Sequence, residues 1–595
     1  MTWLAVHSLP FSPSPSSPLC RRGNSPSDDV VEPEIRSDKR QDLTMATGQQ
    51  HFPVLAVAAG VAVHHGVFRH GEWHLHGPQI IASHLAAAGV LFYYLGRLDG
   101  ALAHVFARVA VLAAAYLAGL FASMTVYRLY FHRLRSFRGP RLAAVSKLWH
   151  VWHVRDSTNH LFLQRIHDEY GSIVRTGPNE ITIFDPAAFE LLDGFGNETT
   201  RDVWYDIVRP RTSAVFTRDK LEHKEGRKFW ALSMSNKANN DYYPRIASLV
   251  RDLSRCIASY GGGPVDIDQI MSWYSWDFMG EVLFGEDFNL TRSRKTHPGI
   301  EHRDRALALA GPLGDAIWIA LLGFQLCPLV GIVNDWQNMI KFCEDYMKLR
   351  LERGDNGKTD MATYFIQEYE DTAGTKTKKA RDLHLAGTAV TAVVAGSDTT
   401  RSVLIALWWF LAKYPEHARQ IQAEVDAVDL GDVAALAVLP HLNAVISEAL
   451  RLVPPVMTGG QRITGPNGMR VGDVLIPPDV KVMCPKYVLH RMESMWVRPD
   501  DFVPERWTSA PELIRDRRAY APFSTGARYC LGKSMALNAL RLAVAGLLRD
   551  YDVAFAPGYD QATMWRDLRD QVTSQPGAVF CVFRPRGSDS VTAEG

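Results

Sequence analysis

Apolar residues follow two regimes along this chain. Near the start they form continuous stretches at 52–63, 80–95 and 109–127, the last without a formal charge. A helix of roughly 20 apolar residues matches the hydrocarbon core of a bilayer. The first stretch is short and the second contains His84. The pattern predicts an anchor region at 51–128 with one to three transmembrane helices, 109–127 the strongest; a buried core helix is the alternative for each. From about residue 129 apolar positions recur at helical spacing. Short strand-like runs lie at 173–176, 180–184, 462–463, 469–471 and 480–483, among Pro and Gly turn signals. The expectation is a mainly α domain with small β-sheets (α+β) over 129–587, behind the N-terminal membrane anchor.

The ends read differently. Residues 1–50 are rich in Ser, Pro and charge and predict a disordered tail, with Met45 as a candidate natural start. Residues 588–595 predict a flexible tail. Past the third apolar stretch come Arg128, His132, Arg133, Arg135, Arg138, Arg141 and Lys147. Such a basic cluster places the following domain on the cytoplasmic side, with one span or with three.

Composition removes some classes. The chain has 595 residues, is 47% hydrophobic and 22% charged, and has a net charge of +1. No basic field points to nucleic acid. The 7 cysteines are odd in number, widely spaced and without a CxxC pair, which fits a reducing compartment and no structural zinc.

The chemistry centres on Phe523-Ser524-Thr525-Gly526-Ala527-Arg528-Tyr529-Cys530-Leu531-Gly532. It reads as a turn delivering one cysteine to the start of a helix, since Leu531, Met535, Ala539, Leu542 and Ala545 follow at helical spacing. A helix N-terminus lowers a thiol pKa and favours thiolate. Gly526 and Gly532 permit backbone geometry and close approach that a Cβ would block, and Arg528 supplies a permanent cation. A buried structural cysteine is the plain alternative. Upstream, 383–412 reads as one helix carrying Ala395-Gly396-Ser397-Asp398-Thr399-Thr400. An acid in an apolar helix needs a partner or a job; Gly396 leaves room beside the helix, and the Thr399 hydroxyl can disturb its ladder. The alternative is a kink with a satisfied polar pair. Glu448 and Arg451 share a helix face just before Pro454-Pro455. His223 and Arg227, four apart, read locally as a charged helix face.

The cysteine loop resembles the haem-binding signature Phe-x-x-Gly-x-Arg-x-Cys-x-Gly of the cytochrome P-450 superfamily at every fixed position. The resemblance extends over roughly 125–585. It implies a cytochrome P-450 fold and a monooxygenase that inserts one oxygen atom from O2 into a small, largely apolar substrate. It makes haem b (iron protoporphyrin IX) the cofactor and Cys530 its axial thiolate ligand, with Phe523, Gly526 and Gly532 framing the loop and Arg528 meeting a propionate. A thiolate pushes electron density to iron and favours O–O cleavage. Asp398 and Thr399 match the family's Ala/Gly-Gly-x-Asp/Glu-Thr-Thr pattern, implying proton delivery to dioxygen. Glu448, Arg451 and Arg506, the last in Phe502-Val503-Pro504-Glu505-Arg506-Trp507, imply a buried ion network under the haem loop. His223 and Arg227 match the spacing of a helix that serves the propionates, and Arg462 is a further partner of this kind.

The segment Tyr127-Arg128-Leu129-Tyr130-Phe131-His132 resembles fungal microsomal members. The histidine-rich stretch 66–77 resembles a group that includes tryprostatin hydroxylases, implying secondary metabolite biosynthesis. The linker departs from Pro-Gly-Pro, reading Arg138-Gly139-Pro140. With no GxGxxG motif or flavin domain, the resemblance implies a separate NADPH-cytochrome P-450 reductase, with cytochrome b5 as a second donor. It also implies an endoplasmic reticulum membrane location with the catalytic domain facing the cytosol, where the sequons at Asn197 and Asn289 go unused. The pocket is expected from 200–222, 393–399, 456–460 and 573–577. Two rivals remain: a haem-thiolate isomerase or dehydratase needing no reductase, which often lacks the acid–alcohol pair, and a non-catalytic haem sensor.

Overall fold

The computed structural model describes residues 51–98, 101–355 and 357–587. The tails expected at 1–50, with Met45, and at 588–595 lie outside them.

Three helices lead the chain: α1 (His51–Phe68), α2 (Gly77–Leu98) and α3 (Leu102–Phe131), each long and apolar enough to cross a membrane. Large apolar side chains such as Leu85, Val90, Leu102 and Phe106 are exposed on them. The two weaker stretches of the sequence thus take the same form as the strongest. α1 and α3 meet at glycines. A Cβ on Gly60 would lie 2.2 Å from the Tyr116 carbonyl oxygen, and one on Gly119 would lie 2.3 Å from that of Val57. Small residues that let backbones approach are the usual basis of helix association in lipid. His84, the residue that weakens the second stretch, lies 3.0 Å from the Tyr116 hydroxyl.

The domain that follows is mainly helical. A five-stranded sheet carries β1 (Ile173–Gly177), β2 (Glu180–Ile183), β3 (Thr200–Arg201), β4 (Arg462–Ile463) and β5 (Lys481–Met483) in the order β1-β2-β5-β4-β3. Its pairings are antiparallel except β2 with β5. Ile181, Ile183 and Val482 bury one face of it in a smaller core. The main core surrounds α9 (Lys378–Lys413). This helix is also apolar enough to span a bilayer, but 78% of its apolar window is buried inside the protein. It is therefore a core helix, with Asp398 and Arg401 buried inside the domain. Around it stand α4 (Lys220–Ser233), α5 (Ile267–Met279), α6 (Pro298–Leu313), α7 (Ile317–Leu326), α8 (Gly331–Arg353), α10 (Pro440–Leu452) and α11 (Lys533–Asp550). A late hairpin, β6 (Arg569–Gln571) with β7 (Thr573–Gln575), closes one side.

The loop between α1 and α2 returns to this domain. Glu72 takes two hydrogen bonds from Arg218 at 2.6 and 2.7 Å, and His74 Nε2 lies 2.8 Å from Asp206 Oδ2.

Candidate active site

The cysteine loop is pinned before its helix begins. The Cys530 N–H donates to the Phe523 carbonyl at 2.8 Å. Ser524 and Gly526 take left-handed backbone (φ 59° and 58°) on the way round. A Cβ on Gly526 would lie 2.0 Å from the Asp193 carbonyl oxygen, so glycine is required there. Gly532 differs from expectation: its Cβ would meet only Cys530 Sγ and Met234 Cε, both at 3.8 Å, so no protein atom demands glycine. The helix α11 starts at Lys533, with Gly532 as its cap. The predicted drop in thiol pKa is also corrected. Burial pushes the Cys530 thiol above its ordinary value, outweighing the opposing pull of the Gly532 N–H and of Arg227 and Lys533. The residue is exposed by surface area, yet protein surrounds the sulfur closely enough for desolvation to dominate. A cation bonded to the sulfur would reverse that balance.

Beside the loop stands an excess of positive charge. Arg227 on α4 donates to the Tyr529 carbonyl at 3.0 Å and lies over the Tyr529 ring at 4.6 Å. His223, one turn earlier, is pushed down to about 3 by burial and by Arg201, Arg528, Arg227 and Arg462. Arg201 is held well below the usual guanidinium range by burial, then by Arg528. Arg528 is lowered by burial and by Arg462. Arg528 Nη1 and Arg201 Nε are buried without a hydrogen-bond partner. Arg462 is at the cluster but occupied: Nε donates to Asp193 Oδ1 at 2.8 Å and Nη1 to the Tyr205 hydroxyl at 2.9 Å. Buried cations with orphaned N–H groups fit a dianion. The residues present therefore suit a porphyrin held at its iron by Cys530 and at its propionates by Arg528, Arg201, His223 and Arg227.

On α9 the helical ladder opens into a π-turn over Val394–Asp398. Such turns are frequent at functional sites. Thr399 Oγ1 donates to the Ala395 carbonyl at 2.6 Å. Both residues line a largely apolar cleft. Gly396 leaves no free space, contrary to expectation, because the Met279 thioether of α5 would lie 2.3 Å from a Cβ there. Asp398 is fully buried and does not line the cleft. Its carboxylate meets Arg303 Nη1 of α6 at 3.1 Å and Arg401 Nη1 at 3.3 Å. It also accepts from the Thr573 hydroxyl and, at 2.8 Å, from Gln575 Nε2. Thr573 itself faces the cleft. The acid thus reaches the cleft through Thr573, while Thr399 faces it directly.

The cleft takes residues from each expected segment, including Trp204, Phe216, Val394, Val456 and Thr573. It also takes Leu307 and Ala310 from α6 and Trp336 and Met339 from α8, which lie outside those segments.

Below the loop, Glu448 and Arg451 of α10 meet Arg506 with all three side chains fully buried. Arg451 reaches both Glu448 oxygens at 3.0 and 2.8 Å, and Arg506 Nε reaches Oε1 at 2.9 Å. The Trp507 indole and the Val503 N–H supply two more donors at 2.9 and 3.0 Å. The remaining guanidinium N–H groups go to carbonyls, among them those of His490 at 2.7 Å and Val497 at 3.0 Å.

Asp193, Arg201 and Arg303 were not anticipated. Asp193 ties Arg462 to the cysteine loop, accepting from Ser524 Oγ at 3.1 Å as well. No motif marks these residues; a lone Asp or Arg in an ordinary stretch carries no spacing signal.

Comparison with known proteins gives one picture. The family model described as Cytochrome P450 matches residues 140–582. The chain is 33% identical over 538 residues to cytochrome P450 monooxygenase FCK2 of Fusarium pseudograminearum, covering 89% of this chain and 96% of that one. It is 31% identical over 533 residues to the tryprostatin B 6-hydroxylase of Aspergillus fumigatus, covering 86% of this chain and 92% of that one. The cytochrome P450DA heme domain superposes with a TM-score of 0.60 at 19% identity, over 73% of this chain and 95% of that one, which speaks for the fold.

Proposed function

Because the chain belongs to the cytochrome P450 family, we propose how its own residues run haem-dependent monooxygenation on a small, largely apolar substrate. The observation that carries this reading is the Cys530 loop beside the cluster of Arg201, His223, Arg227 and Arg528, with orphaned guanidinium nitrogens. Bound there, haem supplies dioxygen activation and oxygen-atom transfer, drawing two electrons from outside the chain. Cys530 Sγ would hold the iron, and Arg201, Arg227 and Arg528 would meet the propionates, with His223 as a neutral hydrogen-bond partner beside them. Thr399 Oγ1, already bonded to the Ala395 carbonyl, presents a hydroxyl to the cleft. Asp398 holds a proton path open at Thr573 Oγ1, while Arg303 and Arg401 fix the carboxylate. The acid–alcohol pair favours the monooxygenase over the isomerase or dehydratase reading.

Three spans are supported by the Glu72–Arg218 and His74–Asp206 contacts. With the α1–α2 loop held against the catalytic domain, α2 and α3 would cross as a pair and α1, apolar enough to span as well, would be the third. The basic residues after α3 then orient the domain to the cytosol, in the endoplasmic reticulum membrane, where an NADPH-cytochrome P-450 reductase and cytochrome b5 would meet it. Exposed Trp318, Leu326, Leu329 and Val330 around α7 support an edge that rests on the bilayer beside α2. Likeness to fungal monooxygenases, a tryprostatin B 6-hydroxylase among them, supports a substrate from fungal secondary metabolism. The test is oxygen consumption with NADPH and added reductase against candidate metabolites. Coupled, oxygenated product supports the reading; conversion of a peroxide without reductase would support the rival.

A further inference from the structure

The cleft has one acid whose charge nothing balances. Three aspartates bear on it. Asp398 has Arg303 and Arg401. Asp315 has Lys481 at 3.1 Å, His150 at 3.0 Å and Lys147 at 3.6 Å. Asp570, on β6, has no Lys, Arg or His partner among the described residues. Its carboxyl accepts one hydrogen bond, from the Thr458 hydroxyl at 2.5 Å. Thr458 in turn accepts from Asn159 Nδ2 at 2.9 Å. Asp570 is 6% exposed and faces the cleft together with Thr458 and Asn159.

The position is built. The Asp570 N–H donates to the Ser157 carbonyl at 2.7 Å, and the strand pairs Asp570 with Ser574. Val572, at the hairpin tip, takes φ 71°, a conformation that β-branched residues rarely adopt. Strain of this kind persists where the surrounding structure fixes it, often at ligand sites. The rest of the wall is largely apolar. A carboxylate in such a place is costly unless it is neutral or paired. Burial pushes the Asp570 acid up to about 7, with Asp315 adding to the rise. A ligand cation would relieve the same cost.

We propose that Asp570 anchors a basic nitrogen of the substrate, so that the substrate class is a small, mostly apolar molecule carrying a protonated or quaternary amine. Resting on the monooxygenase reading, this places the nitrogen at the β6–β7 hairpin and the hydrocarbon portion along the wall that leads to Thr399. Formation of the ion pair displaces the carboxyl proton to solvent. Specificity then comes from a partner left unpaired by neutral molecules, a stronger discriminator than apolar fit alone.

The test uses full-length haem-loaded protein and calorimetric titration with two probes of one shape: trimethyl(3-phenylpropyl)ammonium, which has no lone pair for iron, and neutral 4,4-dimethylpentylbenzene. The cation-to-neutral affinity ratio is expected to fall at least tenfold in Asp570→Asn and to be partly kept in Asp570→Glu. In wild type at about pH 6, binding of the cation should release close to one proton to buffer, and binding of the neutral probe none; this holds whether or not the Asn variant folds. An unchanged ratio, or cation binding without proton release, overturns the assignment while the monooxygenase reading stands. Binding of neither probe likewise overturns the assignment, while absence of NADPH-dependent oxygenation of any candidate metabolite is what would overturn the monooxygenase reading.

Discussion

Two arginine clusters, one fully buried around Glu448 and one partly buried around Arg201, Arg227 and Arg528, differ in closure. In the first, Glu448 is bracketed by Arg451 and Arg506, and Trp507, Val503 and several backbone carbonyls satisfy what remains. In the second, burial first and neighbouring arginines next lower the pKa values of Arg201, Arg528 and His223, and two guanidinium nitrogens have no partner. A closed network is scaffold: it has nothing left to offer a ligand. An open one is a binding site, because its charge is completed only by something the chain does not contain. Asp398 stands between the two, closed by Arg303 and Arg401 yet opening to the cleft through Thr573.

The sharpest way to break this contrast is Glu448→Ala. Removing one partner of a buried ion network costs about 3–5 kcal/mol, so the variant should lose both melting temperature and haem; full haem content with an unchanged melt would make the closed network dispensable. Asp398→Asn comes next. It takes the charge from two buried guanidiniums and should cost about 2–3 kcal/mol, the range for hydrogen bonds to charged groups and for the groups they leave unmet. It should also slow turnover more than it weakens substrate binding. Equal loss in kcat and in binding would count against the Thr573 path.

Arg528→Ala carries the opposite signature. Haem affinity should fall roughly tenfold for the loss of about 1.5 kcal/mol of charged hydrogen bonding. The haem-free protein should be no less stable, since one of several like charges has gone. A haem-free melt that drops as far as that of Glu448→Ala would erase the distinction between the clusters. The smallest effect is expected from Glu72→Ala. The Glu72–Arg218 pair is partly exposed, and such pairs contribute about 1 kcal/mol or less. Stability should barely move, while protease access to the α1–α2 loop should rise.

How much of this was legible depended on distance along the chain. The cysteine loop, the Glu448–Arg451 pair and the Asp398–Thr399 helix are local patterns, legible from spacing along the chain. The helical content and the small sheets followed from spacing. Partners across long separations did not: Asp193 meets Arg462 269 positions on, and Asp398 meets Thr573 175 positions on. The expected thiol pKa failed for a related reason. Helix position alone suggested a lowered value, but burial of Cys530, a property of the whole fold, dominates in the protein. Gly396 likewise read as space and is instead the contact for Met279.

The most direct test is the carbon monoxide spectrum of the purified, dithionite-reduced protein, wild type beside Cys530→Ser. Sulfur ligation by Cys530 predicts the long-wavelength Soret band in wild type and its loss in the variant. A wild-type band at the position of nitrogen-ligated haem, or an identical spectrum in both proteins, would contradict it.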